Sequence, residues 1–187
     1  MIELIKEKYT VDEKTSTLFK MHIQKNELMQ TVHYLASDTN FITLSQISCT
    51  DWIEDGIFNL NYLMTTDKRD KNLMVSIDIK RDDETLPTLS NLFLQAQVME
   101  RDLHEMYGIK FIGNETLFDF ALEDWQDIPP LRREFDTLAY VNEHFDFRGG
   151  RDDNKDVKVE LKRRKAIAKK LKEQEEESKQ KVSSDEN

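Results

Sequence analysis

The stretch "VMERDLHEMYGIKFIGNETLFDFALEDWQDIPPLRREF", residues 98–135, constrains this chain more than any other. With the residues just before it, Leu92, Ala96, Met99, Leu103 and Tyr107 make one apolar helical face, and Gly108 stands where a left-handed residue would end the helix. From residue 109 to 150 no period is sustained. Yet Phe111, Phe118, Phe120, Trp125, Phe135, Tyr140, Phe145 and Phe147 stand there, with Pro129 and Pro130 among them. A disordered segment is poor in aromatics. A strip this rich in them must bury them, and because one small α/β unit has limited room, the expected surface is another subunit.

The residues before it alternate in type. Ile2, Ile5 and Tyr9 predict a short opening helix, and "STLFKMHI" a strand from Leu18 to Ile23 with Phe19, Met21 and Ile23 on one face. Asn26 is the expected N-cap of an amphipathic helix carrying Leu28, Val32 and Leu35. "FITLSQISC", "GIFNLNYLMTT" and "NLMVSIDIK" read as strands, the last two an antiparallel hairpin through the charged turn "TDKRDKN". The predicted class is α+β: a mixed or antiparallel sheet packed with helices, with an extended C-terminal arm and a charged C-terminal helix. The expected organisation is an α/β core over 1–108, a partner-binding arm over 109–150, and a charged helical tail with a disordered end over 151–187.

Composition narrows the function classes. With 187 residues, one domain with an appendage is expected. A formal charge of -10 disfavours polyanionic partners such as nucleic acid or an anionic membrane surface. The single cysteine, Cys49, supplies neither a disulfide nor an iron–sulfur or structural zinc site, and points to a reducing compartment. Neither a secretory leader nor an apolar run of membrane-spanning length is read, so the Asn-Glu-Thr sequon at Asn114 is set aside.

Catalytic constellations are not found. His22, His33 and His144 are scattered, phosphate-binding glycine loops are absent, and Asp82 with Asp83 reads as a solvated turn. Glu100 and His104 have the spacing of a metal-binding helix face but lack further ligands. On the same helix Arg101 precedes Glu105 by four residues, so the two are expected to pair, as are Glu100 and His104. The alternative is a solvated face whose pairs contribute about 0–1 kcal/mol each.

The order of these elements resembles the signature of the 30 kDa subunit family of respiratory complex I and its counterparts in membrane-bound, energy-converting hydrogenases. Glu100, Arg101 and Asp102 match the acidic–Arg–acidic triplet and Glu105 the acid after it. Tyr107, Gly108 and Ile109 follow, then Phe111 and Gly113, then Asp124 and Trp125. Pro130, Leu131, Arg132, Arg133, Glu134 and Phe135 match the closing motif. "LSQISCTDW" and the hairpin after it look like the family's middle strands.

The resemblance implies a non-catalytic structural subunit, carrying no cofactor, in the hydrophilic arm of a membrane-bound, ion-translocating oxidoreductase on the cytoplasmic side of the membrane. The implied partners are the large catalytic subunit and the small iron–sulfur subunit beside it, with clusters and a nickel–iron or quinone site held there. The signature residues would then serve at the subunit interface. Where quinone-linked members carry His-Pro and later two arginines, this chain has Asn114, Glu115, Phe118 and Asp119, and Val98 or Met99 replaces an aromatic. These departures lean toward a group 4 hydrogenase or related complex over the 30 kDa-type subunit of an NADH:quinone oxidoreductase. The reading of another class is a free-standing enzyme or binding module.

The tail carries a basic block over 162–172 and an acidic block after it. It is either solvated or docks its cations on an acidic subunit or lipid headgroups, at about 1 kcal/mol per Lys or Arg.

Overall fold

The computed structural model describes residues 2–145, 159 and 162–167. Two compact units divide the chain, Met1–Thr137 and Leu138–Asn187.

The first unit is built on a mixed five-stranded sheet. Helix α1 (Ile2–Lys6) precedes β1 (Val11–Glu13) and β2 (Leu18–Ile23), and helix α2 (Leu28–Asp38) leads to β3 (Thr43–Trp52), β4 (Ile57–Thr65) and β5 (Asn72–Lys80). The strand order is β1-β2-β5-β4-β3; only the β2–β5 pair is parallel. The expected hairpin is β4–β5. One sheet face carries Phe19, Met21, Phe58, Leu60, Tyr62, Leu73, Val75 and Ile77, all buried in one core with Ile2, Ile5, Leu28, Val32 and Leu35 of the helices. Alternation produces this face, because successive strand side chains point to opposite sides. The other face is polar: Asn59 donates to Ser76 Oγ at 3.0 Å and to Asp78 at 2.6 Å.

Two local expectations are corrected. Asn26 does not cap α2; it lies inside a 3-10 turn, Lys25–Glu27, where the Glu27 carboxylate accepts the Gln24 amide at 2.9 Å. Leu92 is not the first turn of the next helix, because residues 89–93 form tight turns and α3 runs Ala96–Tyr107.

Helix α3 positions everything that follows. Gln95 Nε2 donates to Leu44 O and Tyr107 Oη to Cys49 O, both at 3.1 Å, so side chains of the α3 segment take two carbonyls of the edge strand β3. Covering an edge in this way blunts its capacity to pair with another chain. A parallel two-stranded ladder, β6 (Thr85–Pro87) with β7 (Lys110–Ile112), joins the loop before α3 to the segment after it. In the second unit, Tyr140 of helix α4 (Thr137–His144) stacks on His144 with ring centroids 4.1 Å apart. Of the charged tail, residues 162–167 are helical; the expected disordered end lies outside the described residues.

Candidate functional site

The residues of α3 divide between an inward face, a C-terminal end and an outward face, and each meets a different part of the arm.

Inward, Glu100 is fully buried. Its Oε2 accepts Thr88 Oγ1 at 2.6 Å and Asn114 Nδ2 at 2.9 Å, and its Oε1 accepts the Leu89 amide at 2.7 Å. Burial pushes its pKa up, and those three hydrogen bonds oppose the rise. Asn114 also donates to Gln97 O at 3.1 Å, and its Oδ1 accepts both the amide and the hydroxyl of Thr116. The Asn-Glu-Thr run is therefore a turn whose amide is buried and committed.

At the C-terminal end, Gly108 adopts φ +80, and a Cβ placed there would lie 2.7 Å from Arg132 Nη2. Gly108 is thus required twice, for the left-handed cap and for the approach of Arg132. Arg132 Nε donates to Tyr107 O and Nη2 to Glu84, each at 2.6 Å, while the Leu131 amide donates to Met106 O at 3.1 Å. These donors satisfy carbonyls that a helix end leaves open, and the cation meets the negative end of the helix dipole.

Next to it lies a second arginine. Arg81 Nη2 donates to Asp51 Oδ2 at 3.1 Å and also to Glu134; Arg81 Nε, 2.9 Å from Asp51 Oδ1, makes an ionic contact without the alignment of a hydrogen bond. Asp51, with a side chain only 2% exposed, also accepts the Arg133 amide at 2.9 Å. Both guanidinium carbons lie over the Phe58 ring, at 5.1 and 5.3 Å, and Tyr107 meets that ring edge-on at 6.0 Å. Cys49, beside this cluster, stays a thiol: burial and then the Asp51 carboxylate push its pKa up to about 12.

Outward, Arg101 and Glu105 do not pair. The Glu105 carboxylate accepts three successive amides, Phe120 at 2.9 Å, Ala121 at 3.0 Å and Leu122 at 2.8 Å. The Arg101 guanidinium carbon lies over the rings of Phe118 and Phe120, 4.9 and 4.2 Å from their centroids. An open groove of about 260 Å³ runs between α3 and the arm, lined among others by His104, Glu105, Phe118, Asp119 and Trp125.

The expected i, i+4 pairs are therefore corrected: arm amides take Glu105, and the Leu89 amide with the Thr88 and Asn114 side chains takes Glu100. Glu100 turns away from His104, whose Nδ1 donates to Ile109 O at 2.8 Å. Among the described residues no three of His, Cys, Asp and Glu converge as metal ligands. Glu100 and Phe111 join the core. Gly108, Tyr107, Arg132 and Glu134 meet at the helix end, where Arg133 also bonds Glu54 at 3.3 Å. Gly113, at φ +94, brings Asn114 back toward Glu100. Asp124, at φ +51, turns the chain into Trp125, which meets Phe135 edge-on at 5.4 Å. Asp102 and Leu131 are exposed, and Pro130 is half-buried.

Asp51, Arg81, Glu84 and Thr88 were not singled out from the sequence as site residues. Asp51 carried a signal: with Ile47 and Cys49 it occupies every second position of a strand whose inward side is apolar, so a carboxylate there demands a partner.

Glu105 yields a direct test. Burial raises its pKa, but three amide donors and the Arg101 charge outweigh that, and the net direction is down. A lowered folded pKa means that its contribution is present above the ordinary carboxylate range and is lost as pH falls through the folded value. Glu105→Gln is expected to speed amide hydrogen exchange at residues 120–122 by roughly tenfold, the effect of losing about 1.4 kcal/mol of charge-assisted bonding, with little change in melting temperature. Unchanged exchange there would mean that the carboxylate does not hold the arm.

The fold and signature have counterparts. Residues 21–141 match the family model described as respiratory-chain NADH dehydrogenase, 30 Kd subunit. The C-type subunit of the NADH-quinone oxidoreductase of Mesorhizobium japonicum is 26% identical over 67% of this chain and 64% of its own. Its counterpart in Rickettsia felis is 29% identical over 59% of this chain and 54% of its own, so the chain spans less than two thirds of either relative. A chain in the structure of the membrane-bound sulfane sulfur reductase, an archaeal respiratory membrane complex, shares the fold. Its TM-score is 0.74 at 24% identity, over 83% of this chain and 96% of that one.

Proposed function

We propose, from the premise that the chain belongs to the respiratory-chain NADH dehydrogenase 30 Kd subunit family, that it is a non-catalytic structural subunit in the hydrophilic arm of a membrane-bound, ion-translocating oxidoreductase. The observation that supports this reading is how the signature is used. Glu100, Glu105, Arg132 and Glu134 bond the arm to its own domain and Gly108 leaves room for Arg132, while Phe118, Phe120, Ile128 and Leu131 stay exposed along it. A fastened strip with exposed large apolar groups is a surface built for another protein. Its partners in this reading are the large catalytic subunit and the iron–sulfur subunit beside it. Those hold the cofactors, and this chain holds none.

The departures at Asn114, Phe118 and Asp119 favour a group 4 hydrogenase or related complex over the NADH:quinone branch. Among the described residues no helix is long and apolar enough to cross a membrane, and attachment would be peripheral, through the complex, on the cytoplasmic side.

The test is isolation of the complex from native membranes through a tag on this chain. The expected result is co-isolation of a large subunit and an iron–sulfur subunit, with metal in those partners and none in the separately purified chain. Recovery of the tagged chain alone, with turnover of its own, would overturn the reading.

A further inference from the structure

Among the described residues Arg101 is a permanent cation without a contact ion pair: Glu105 feels its charge but gives its oxygens to other donors. Its natural partner Glu105 is occupied by the amides of residues 120–122. Among the described residues no carboxylate pairs with it, and its Nε is buried without a hydrogen-bond acceptor. The rings of Phe118 and Phe120 attract the charge, yet they offer no acceptor to the N–H donors at the guanidinium edge. Phe118 and Phe120 are themselves 60% and 52% exposed.

Three consequences follow. A guanidinium steadied by packing loses less freedom on binding than a free one, so its donors form a prepared fork. The planar fork fits a carboxylate through two parallel hydrogen bonds, and the exposed rings supply an apolar floor for the methylenes that carry it. The charge of -10 disfavours a polyanionic surface at this site, whereas one carboxylate aimed at one cation is selected in register against that background.

We infer that Arg101, steadied by Phe118 and Phe120, is the docking point for an Asp or Glu side chain of a partner subunit. This rests on the reading of the chain as a subunit and adds the chemistry of the contact.

The experiment uses the tagged full-length chain in native membranes. A photoreactive phenylalanine in place of Phe118 is cross-linked and the attached peptide identified by mass spectrometry. Arg101→Met, which keeps the stem but removes the donors, and Arg101→Glu are compared with the unaltered chain for recovery of the complex. The cross-linked peptide is expected to carry an Asp or Glu. Recovery is expected to fall by at least about 30-fold in both variants, with the chain's own melting temperature held in Arg101→Met. Changing the identified carboxylate to Arg is expected to restore recovery with Arg101→Glu alone.

Undiminished recovery of Arg101→Met, a peptide without an acid, a cross-link to this chain's own acidic block, or failure of the exchanged pair would each overturn the inference. If the unaltered chain recovers no partner at all, it is the subunit reading that fails. If it recovers partners while Arg101→Met does so equally, only the contact fails.

Discussion

Glu100→Ala is expected to cost about 3–5 kcal/mol of stability, the range for removing one member of a buried, hydrogen-bonded charge site. The Leu89 amide would be left in the core with no acceptor, the Asn114 side-chain amide would keep only Gln97 O, and a cavity would replace the carboxylate. Glu100→Gln should cost less, about 1–3 kcal/mol, because its one oxygen can accept Thr88 and Asn114 while its amino group then opposes the Leu89 N–H. The pH dependence has a definite sign. Burial raises the folded pKa of Glu100, so between the ordinary glutamate value and that raised value the folded state holds the extra proton. In that window the stability of the unaltered chain relative to Glu100→Gln should rise as pH falls. Denaturant titrations of both proteins from neutral to mildly acidic pH measure this. A difference that does not change with pH would mean that Glu100 does not titrate differently on folding.

Arg132→Ala is the second large effect, with an expected loss of about 3–5 kcal/mol in the stability of the first unit. The substitution opens Tyr107 O at the end of α3, leaves Glu84 without its cation, and strips one guanidinium from the Phe58 ring. Arg132→Lys should recover only part of this, since a point charge cannot reach Tyr107 O and Glu84 together as a fork does. Limited proteolysis supplies the local readout: cleavage after Gly108 should accelerate in Arg132→Ala and remain slow in the unaltered chain. Equal cleavage rates would show that the arm is held elsewhere.

Glu100 and Arg132 also distinguish fastening from docking. Both act inside the chain, so both variants should lower the amount of assembled complex through the stability of the free subunit. Arg101→Met should lower it with that stability intact.

The strands were readable because alternation is a property of the backbone: Phe19, Met21 and Ile23 share a face whatever lies opposite. Gly108 was readable as a helix end for the same reason, since a left-handed residue without a side chain suits that position locally. The family signature, an ordered set of residue types, was readable too. What the signature charges bind was not. Spacing along α3 offers Arg101 to Glu105 and Glu100 to His104, and at a solvated surface each pair would contribute about 0–1 kcal/mol. The tertiary structure brings amides of other segments against those carboxylates, and a buried amide without an acceptor costs about 1–3 kcal/mol. That penalty sets Glu100 on Leu89 and Asn114; at the half-exposed Glu105 three charge-assisted amide bonds together outweigh one surface ion pair, so it takes residues 120–122, and Arg101 lies against two aromatic rings. Asp51 and Arg132 lie far apart in sequence and meet in one cluster only because the arm folds back over the end of α3. Local sequence determined which elements form; the competition for hydrogen bonds, which exists only once those elements pack, determined which of the described charges pair inside the chain.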